Sequence, residues 1–273
     1  MKYKLIASDF DGTIYDAEAP FIPPENQKAI EEYIAAGGIF ILATGRMYQS
    51  IKPYAKQLNL HDEIIAYQGA SIYNLANDEL LFHNPMSTDD TIPILKYIEA
   101  SGYHCQIYYN DIYYINTPNA YSIKYCNYCG IPMTLTNMPL SDYIRVNNIN
   151  PTKIMVILPS EDLMGVFNQK IERDFGEKFG FARSGGTFLE IINIKANKGI
   201  ALKHLAEKYN IRREEIVAIG DSTNDISMIK YAGMGIAVAN AMDELKEVAD
   251  YIGDYAANNA VAKIIQMIIK EQL

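Results

Sequence analysis

The sequence predicts an α/β protein whose parallel sheet is interrupted by an inserted α+β domain, and three observations lead to this prediction. In roughly the first ninety residues, short apolar runs typical of buried strands alternate with amphipathic helical patterns. Roughly the last eighty residues return to the same alternation. Between them, a helix followed by paired strands occurs twice. Alternating strands and helices are typical of a parallel sheet with helices on both faces, whereas the middle pattern indicates an α+β unit.

The first and last parts of the chain supply the predicted parallel sheet. The predicted elements are strand 4–8, helix 24–36, strand 39–43, helix 47–58, strand 64–66, helix 198–209, strand 216–219, helix 225–232, strand 235–238 and helices 241–248 and 257–272. Pro24 is placed early in its helix, where its missing N–H costs little. Gly37 and Gly38 follow the last residues of that helix and end it.

The middle part supplies the predicted inserted domain. Its predicted elements are helix 87–100, strands 106–109 and 113–116, strand 153–158, helix 161–175 and strands 179–183 and 187–192. Asn110-Asp111 separate the first pair of strands and Gly185-Gly186 the second, which predicts two hairpins.

The composition of the 273-residue chain restricts the class of protein. With 49% hydrophobic and 21% charged residues, it is typical of a folded globular chain. The net charge of −9 argues against nucleic acid as the main partner, since phosphate backbones require a basic surface. The N-terminal apolar run is too short for a signal peptide, and no later run reaches the roughly 18 apolar residues of a membrane span. We therefore expect a cytoplasmic protein without nucleic-acid or membrane partners, and the sequence leaves its oligomeric state open.

Two aspartates directly follow the first predicted strand, in the stretch 8–13 with the sequence Ser-Asp-Phe-Asp-Gly-Thr. Because Asp9 and Asp11 are two apart on an extended backbone, their side chains leave the same face. Gly12 allows the chain to turn at the carboxyl end of the strand, where open α/β sheets bind ligands. Two carboxylates held there repel each other unless a cation lies between them, which favours a metal site. The alternative is an ordinary turn in a solvated loop.

A second group of polar residues follows the predicted strand 216–219. Residues 220–225 read Gly-Asp-Ser-Thr-Asn-Asp, and Asp221 offers oxygen ligands for a magnesium ion. Capping of the next helix by Ser222 or Asp225 is the alternative. Capping explains one polar residue but not five in six positions.

Two further stretches contain groups that bind anions. Thr44, Gly45 and Arg46 follow the predicted strand 39–43, and together a hydroxyl, an amide and a guanidinium are able to cradle an anion. A helix cap at Thr44 is the alternative. Lys198 opens a predicted helix against the preference of the helix dipole, which favours a lysine that faces an anion.

The four stretches together resemble the motifs of the haloacid dehalogenase-like hydrolases, in the same order and along the whole chain. The first matches D-x-D-G-T and the fourth G-D-x-x-N-D, while Thr44 and Lys198 supply the second and third. The Ala-Thr-Gly-Arg stretch at 43–46, Leu-Glu-Ile at 189–191 and the insertion are similar to the Cof-type, subfamily IIB, sugar-phosphatase-like branch. This sequence departs from the pattern at Ser222 and in lacking the Pro and Gly often found before Lys198.

The resemblance implies both the domain organisation and the activity. A discontinuous Rossmann-like catalytic core would comprise residues 1–86 and 191–273, with an inserted α/β cap of residues 87–190. The implied activity is that of a Mg²⁺-dependent phosphatase acting on small phosphorylated metabolites, such as sugar phosphates, through an aspartyl-phosphate. Specificity is expected to reside in the cap, where no motif identifies the residues.

The resemblance also implies a role for each site residue. Asp9 is the implied nucleophile, and Asp11 is the implied general acid and base. Asp9, the Asp11 carbonyl and Asp221 would hold Mg²⁺, while Thr44 and Lys198 would bind the phosphoryl oxygens. Further phosphate or substrate contacts are expected from Gly12, Gly45, Arg46 and Asn224. Ser222 and Asp225 are expected to orient these groups, and Asp225 to pair with Lys198.

Three other functions compete with this prediction. A phosphomutase would return the phosphoryl group of the same aspartyl-phosphate to a sugar, and the sequence does not separate it from a hydrolase. A non-catalytic module that binds phosphorylated metabolites is disfavoured because all four motifs keep their reactive residues. A zinc site at Cys126 and Cys129 is disfavoured because no second pair of ligands has the required spacing; both cysteines are expected on one helix of the inserted domain.

Overall fold

The computed structural model describes residues 1–15, 21–184 and 187–273, and the chain divides into two compact units. The first unit, here called the core, comprises Met1–Arg46, Ile51–Phe82 and Asn197–Leu273. The second, here called the cap, comprises Met47–Ser50 and His83–Ala196.

The strands and helices of both units are numbered along the chain. The strands are β1 (Leu5–Ser8), β2 (Ile39–Ala43), β3 (Glu63–Ala66), β4 (Ser71–Asn74), β5 (Leu80–His83), β6 (His104–Tyr109), β7 (Ile112–Ile115), β8 (Thr134–Leu135), β9 (Lys153–Ile157), β10 (Phe179–Ser184), β11 (Phe188–Asn193), β12 (Ile216–Gly220), β13 (Met234–Ala237) and β14 (Tyr251–Ile252). The helices are α1 (Pro24–Ala35), α2 (Tyr48–Gln57), α3 (Thr88–Ser101), α4 (Ala120–Cys129), α5 (Leu140–Asn147), α6 (Glu161–Phe175), α7 (Lys198–Tyr209), α8 (Ile226–Tyr231), α9 (Asp243–Lys246) and α10 (Ala260–Ile269).

The core contains the predicted parallel sheet. Its strand order is β14-β13-β12-β1-β2-β3-β4-β5, and the strands from β14 to β3 are parallel to one another. β4 pairs with β3 in the antiparallel direction and extends the sheet. β1 is fully buried and apolar up to Ser8, as expected of a strand covered on both faces. The predicted α/β fold class is therefore confirmed.

Several predicted boundaries in the core are wrong by a few residues, for local reasons. The helix predicted to begin at Asp225 begins at Ile226, because Thr223–Asp225 form a 3-10 turn before it. The helix predicted over 257–272 begins at Ala260, because Asn259 has a left-handed φ of 60°. The strands β4, β5 and β14 were not predicted.

The cap contains one six-stranded sheet with the order β10-β11-β9-β6-β7-β8. Neighbouring strands are antiparallel except for β7 and β8, which are parallel. β6 and β7 form the predicted hairpin, and Asn110 and Asp111 between them have the positive φ values that its turn requires. Gly185-Gly186, predicted to turn the second hairpin, lie outside the described residues, although β10 and β11 pair as expected. Cys126 and Cys129 both lie on α4, partly exposed and as free thiols.

No helix in the described ranges combines the length and the apolar character that crossing a membrane requires.

The first turn of α7 packs closely on α8, and Gly199 makes this possible. A Cβ on Gly199 would collide with the carbonyl oxygen of Ser227 and would lie 2.6 Å from its carbonyl carbon. We expect Gly199→Ala to lower the free energy of unfolding by about 1–3 kcal/mol, because backbone atoms must move to admit the methyl group. Chemical denaturation followed by circular dichroism measures this change.

Gly165 provides the matched control for this prediction. It lies inside α6, where a Cβ would have no neighbour within 4 Å. Gly165→Ala is expected to raise stability by about 0.5–1 kcal/mol, since alanine loses less backbone entropy in a helix. A Gly199→Ala protein as stable as the original would contradict the close approach of α7 and α8.

Candidate active site

The candidate site lies at the carboxyl ends of neighbouring strands of the core sheet. β12, β1 and β2 are adjacent and parallel, with Ser8 opposite both Ile219 and Leu42. The polar stretches that follow these strands therefore begin at the same edge of the sheet, where open α/β folds bind ligands. Lys198 joins them as the first residue of α7.

Lys198 lies between two carboxylates. Its Nζ is 2.6 Å from Oδ1 of Asp9 and 2.6 Å from Oδ1 of Asp225, and the lysine side chain is fully buried. Burial by itself lowers the pKa of Lys198, but the carboxylates of Asp225 and Asp9 outweigh it, so this pKa lies above its ordinary value. The buried lysine is therefore charged and ties the first motif to the fourth.

Three carboxylates lie near this lysine, and their combined negative charge exceeds its single positive charge. Asp9, Asp221 and Asp225 each offer an oxygen, and these oxygens lie within 4.8 Å of one another. Burial raises the pKa of Asp9 well above its usual value; Lys198 opposes this effect, and the neighbouring acids add to it. Burial, followed by the charge of Asp225, raises the pKa of Asp221 to about 6. One lysine therefore compensates only part of the negative charge of the three carboxylates.

The donor set fits a divalent cation. Carboxylate oxygens are the ligands that Mg²⁺ prefers, and a cation would supply the missing positive charge. Across the described ranges, no cysteine or histidine belongs to a comparable group of possible metal ligands. Two of the predicted ligands, Asp9 and Asp221, belong to the acidic cluster, and the side chain of Asp225 joins them. The ligand role of the Asp11 backbone carbonyl stays a prediction.

The turn after β1 holds Asp221 close to the first motif. Gly12 has φ +78°, and a Cβ there would lie 2.5 Å from Oδ2 of Asp221, so this turn requires glycine. Thr13 donates its hydroxyl to Oδ1 of Asp221 over 3.3 Å. The side chain of Asn240, which the sequence did not single out, donates to the Gly12 carbonyl over 2.8 Å.

Arg46 holds the carboxylate of Asp11. Its Nε donates to Oδ2 over 2.8 Å and its Nη2 to Oδ1 over 2.6 Å. The guanidinium carbon also lies 5.2–5.5 Å from the ring centres of Phe10, Tyr15 and Tyr54. Arg46 thus forms a two-pronged salt bridge with the predicted acid and base, and its predicted contact with phosphate or substrate stays a prediction. The aromatic rings and the carboxylate together fix the orientation of the guanidinium.

Thr44 and Gly45 begin the second motif directly after β2. Thr44 is almost fully buried, and its Oγ1 accepts a hydrogen bond from the backbone N–H of Arg46 over 3.1 Å. Its own N–H donates to the carbonyl of Ile65 on β3, over 2.9 Å. The hydroxyl is therefore held in a fixed turn whose next residue, Gly45, is half-buried.

The carboxylate of Asp225 holds the backbone of the fourth motif in place. Its Oδ2 accepts hydrogen bonds from the backbone N–H groups of Asp221 and Ser222, over 3.0 and 3.1 Å, while its Oδ1 accepts from Lys198. The predicted pairing of Asp225 with Lys198 is present. The hydroxyl of Ser222 lies 3.4 Å from Sδ of Met242.

Gln68 is a residue that the sequence analysis did not select. Its Oε1 accepts a hydrogen bond from Nδ2 of Asn224 over 3.0 Å, and its backbone N–H donates to the carbonyl of Thr44 over 3.0 Å. It follows β3, the strand next to β2. The sequence signal that could have identified Gln68 is the predicted strand 64–66, because the residues after its carboxyl end lie at the same edge of the sheet.

Comparisons with known proteins identify the family of the chain. The family model described as haloacid dehalogenase-like hydrolase matches residues 6–265. "Putative phosphatase YxeH" of Bacillus subtilis (strain 168) is 31% identical over 98% of this chain and 98% of its own length. The 5-amino-6-(5-phospho-D-ribitylamino)uracil phosphatase YcsE of the same organism is 28% identical over 96% of this chain and 94% of its own.

A solved structure shows the same fold. It is described as the HAD subclass IIB sugar phosphatase BT4131, has a TM-score of 0.83 at 21% identity, and the match covers 97% of this chain and 98% of that one. The chain belongs to the haloacid dehalogenase-like hydrolase family, and its fold is that of the Cof-type, subclass IIB members.

Proposed function

We propose that this protein is a Mg²⁺-dependent phosphatase that hydrolyses small phosphorylated metabolites through an aspartyl-phosphate on Asp9. The observation that carries the proposal is the placement of Lys198 between Asp9 and Asp225, beside Asp221. This arrangement supplies a nucleophilic carboxylate, a buried cation for the phosphoryl oxygens and a surplus of acidic oxygens for a metal. Membership of a hydrolase family whose relatives carry phosphatase names supports the proposal.

The first step transfers the phosphoryl group to the protein. A carboxylate oxygen of Asp9 forms a bond to phosphorus while the bond from phosphorus to the leaving oxygen breaks. Asp11 gives its proton to that oxygen, so the product leaves as an alcohol. Lys198 and the hydroxyl of Thr44 bind the phosphoryl oxygens as charge spreads over them.

The second step releases phosphate. Asp11, now a carboxylate, takes a proton from water as the water oxygen attacks phosphorus, and the bond to Asp9 breaks. Arg46 orients the carboxylate of Asp11 for this second transfer through two hydrogen bonds, whereas the first transfer requires one Asp11 oxygen to carry a proton in place of one of these bonds. Gly45, between Thr44 and Arg46, and Asn224, next to Asp225, would supply further contacts to the substrate.

A cation is required by the charge of the site and of the substrate. Asp9 and Asp221, with the carbonyl of Asp11, would hold Mg²⁺, and Asp225 would keep Asp221 in place through its backbone. The bound ion would offset the repulsion between a carboxylate nucleophile and a phosphate.

The substrate class is tested by phosphate release from a panel of metabolites. The panel contains sugar phosphates, polyol phosphates, nucleotides and the ribitylaminouracil phosphate named for the relative YcsE. Release of inorganic phosphate without a bisphosphate activator is expected for a hydrolase. Transfer of the group to a second hydroxyl of a sugar, with no release, would instead indicate a phosphomutase.

Asp9→Asn is expected to lower the rate of phosphate release by about 10³-fold or more, because an amide is a far poorer nucleophile. The fold should survive, since the change removes one of three crowded carboxylates around Lys198. Steady-state phosphate release and thermal unfolding measure the two effects. Asp243→Asn is the matched control, because that carboxylate is 94% exposed and lies outside the site. Near-normal turnover by the Asp9→Asn protein, with deamidation excluded by mass spectrometry, would remove Asp9 from the role of nucleophile.

Asp11→Asn is expected to slow hydrolysis of a sugar phosphate by about 10²-fold or more, and hydrolysis of p-nitrophenyl phosphate much less. An activated leaving group needs little protonation, so the general acid matters less to it. The measurement is kcat/KM for both substrates.

Arg46→Lys tests the same point through the partner of Asp11. Lysine keeps the positive charge but loses the two-pronged geometry. We therefore expect a smaller loss of kcat/KM than in Asp11→Asn, again greater for the sugar phosphate than for p-nitrophenyl phosphate. Equal losses on the two substrates in both variants would contradict the acid role of Asp11.

Activity is expected to disappear in EDTA, to return with Mg²⁺, and to be inhibited by Ca²⁺. Calcium prefers more ligands at longer distances, and it would misplace Asp9 relative to phosphorus. Asp221→Asn should raise the Mg²⁺ concentration needed for half-maximal activity, while Asp243→Asn should not. Full turnover in the chelator would mean that the acidic cluster serves another purpose.

A further inference from the structure

The first turn of α2 belongs to the cap, although the chain on either side of it belongs to the core. The cap includes Met47–Ser50, and the core resumes at Ile51. Arg46, the last core residue before this turn, holds the predicted acid and base, Asp11, through two hydrogen bonds. The contacts that fix this turn therefore bear on a residue next to the proposed chemistry.

The carboxylate of Asp111 holds the first turn of α2. Its Oδ1 accepts a hydrogen bond from the backbone N–H of Tyr48 and its Oδ2 accepts one from that of Gln49, each over 2.9 Å. Nε2 of Gln49 donates in return to the backbone carbonyl of Asp111, also over 2.9 Å. The first N–H groups of a helix have no acceptor within the helix, and the helix dipole favours a negative charge beside them. Asp111 therefore supplies both the acceptors and the charge that the start of α2 requires.

The hairpin turn by itself does not explain why the Asp111 carboxylate is buried. Asn110 and Asp111 connect β6 and β7 with φ values of 49° and 57°, which asparagine and aspartate adopt more readily than most residues. Asn110 is exposed, as is usual for a residue in such a turn, whereas Asp111 is only 8% exposed. A buried carboxylate is costly unless it is hydrogen-bonded, so its position indicates that Asp111 serves the contact with α2 as well as the turn.

Arg46 lies between this contact and a second fixed point of the backbone. Its carbonyl accepts a hydrogen bond over 3.0 Å from the N–H of Tyr67, a left-handed residue after β3 with φ 53°. Only Met47, which is fully buried, separates Arg46 from Tyr48. Two residues of chain span at most about 7 Å. A displacement of the start of α2 is therefore passed directly to Arg46.

We propose that Asp111 is a positioning residue of the phosphatase site, which holds the start of α2 and through it the guanidinium of Arg46 against Asp11. The inference rests on the proposed function. In the first transfer one oxygen of Asp11 carries a proton, and the remaining hydrogen bond from Arg46 keeps the carboxyl group in place. Loss of the Asp111 carboxylate is therefore expected to weaken proton donation to the leaving group.

The test begins with two substitutions that keep the backbone of the turn. Glycine and asparagine both adopt a positive φ, so Asp111→Gly removes the carboxylate alone, and Asp111→Asn keeps one acceptor oxygen. With phenyl phosphate as substrate, kcat/KM should fall by about 10-fold in Asp111→Gly and by less in Asp111→Asn. Asn110→Gly is the matched control, because it changes the exposed neighbour in the same turn and should leave kcat/KM unaltered. A normal kcat/KM in the Asp111→Gly protein would overturn the inference.

A second substrate separates weakened proton donation from other defects. p-Nitrophenyl phosphate is similar in size to phenyl phosphate, but its leaving group needs less protonation, so Asp111→Gly should lower its kcat/KM by about 3-fold or less. A lost contact with the substrate or a general structural defect would affect the two aryl phosphates alike. Equal losses on both substrates would therefore overturn the inference.

A double-mutant cycle with Arg46→Ala tests whether Asp111 acts through the arginine. The Arg46→Ala protein has no guanidinium to position, so adding Asp111→Gly should lower its kcat/KM for phenyl phosphate no further. Additive losses would show that Asp111 acts by another route and would overturn the inference.

Hydrogen exchange followed by mass spectrometry tests the contact without reference to activity. The backbone N–H groups of Tyr48 and Gln49 should exchange faster in Asp111→Gly than in the original protein or in Asn110→Gly. Unchanged exchange in peptides that cover residues 47–50 would overturn the inference, because the carboxylate would then not be holding this turn.

Further controls separate folding and the proposed function from this inference. Thermal unfolding is recorded for every variant, and Asp111→Asn takes the place of Asp111→Gly in each measurement if the glycine variant does not fold. An active original protein with an inactive Asp9→Asn variant but an unaffected Asp111→Gly variant would reject this inference alone. An original protein that releases phosphate from no substrate would reject the proposed function.

Discussion

The buried ammonium group of Lys198 is the charge on which the rest of the site depends. It contacts Asp9 and Asp225, which come from opposite ends of the chain, and it lies where water does not reach. A buried lysine without partners would lose its proton, and buried carboxylates without a cation would gain one. The three groups therefore maintain one another's charge, and breaking one contact leaves an uncompensated buried charge.

The same interaction supports the metal ion in the proposed function. One lysine faces three carboxylates, and burial, with a further contribution from the neighbouring acids, raises the pKa values of Asp9 and Asp221. A phosphate monoester would add further negative charge at this point. A divalent cation resolves both problems, which is why hard oxygen ligands and a lysine occur together in the proposed mechanism.

Close backbone approach brings these charges together. Gly12 allows the turn after β1 to contact Asp221, and Gly199 allows α7 to pack against α8. The left-handed residues after β3 support the second motif from the side. Strained or glycine-dependent backbone therefore concentrates at the edge of the sheet where the reactive groups meet, as expected where geometry is set for function and not only for stability.

The sequence by itself determined the fold class and the residues with intrinsic chemistry. Strand and helix periodicity are local properties, and D-x-D-G-T or a lysine at a helix start is recognisable within a few positions. Short elements such as β4, β5 and β14 were missed because a few residues contain too little periodicity. Only the tertiary structure decided that Arg46 holds Asp11 and that Gln68 holds Asn224, contacts that join residues 35 and 156 positions apart. Such pairs depend on how strands are ordered in the sheet and on which side chains the loops bring within hydrogen-bonding distance, and no local pattern encodes either.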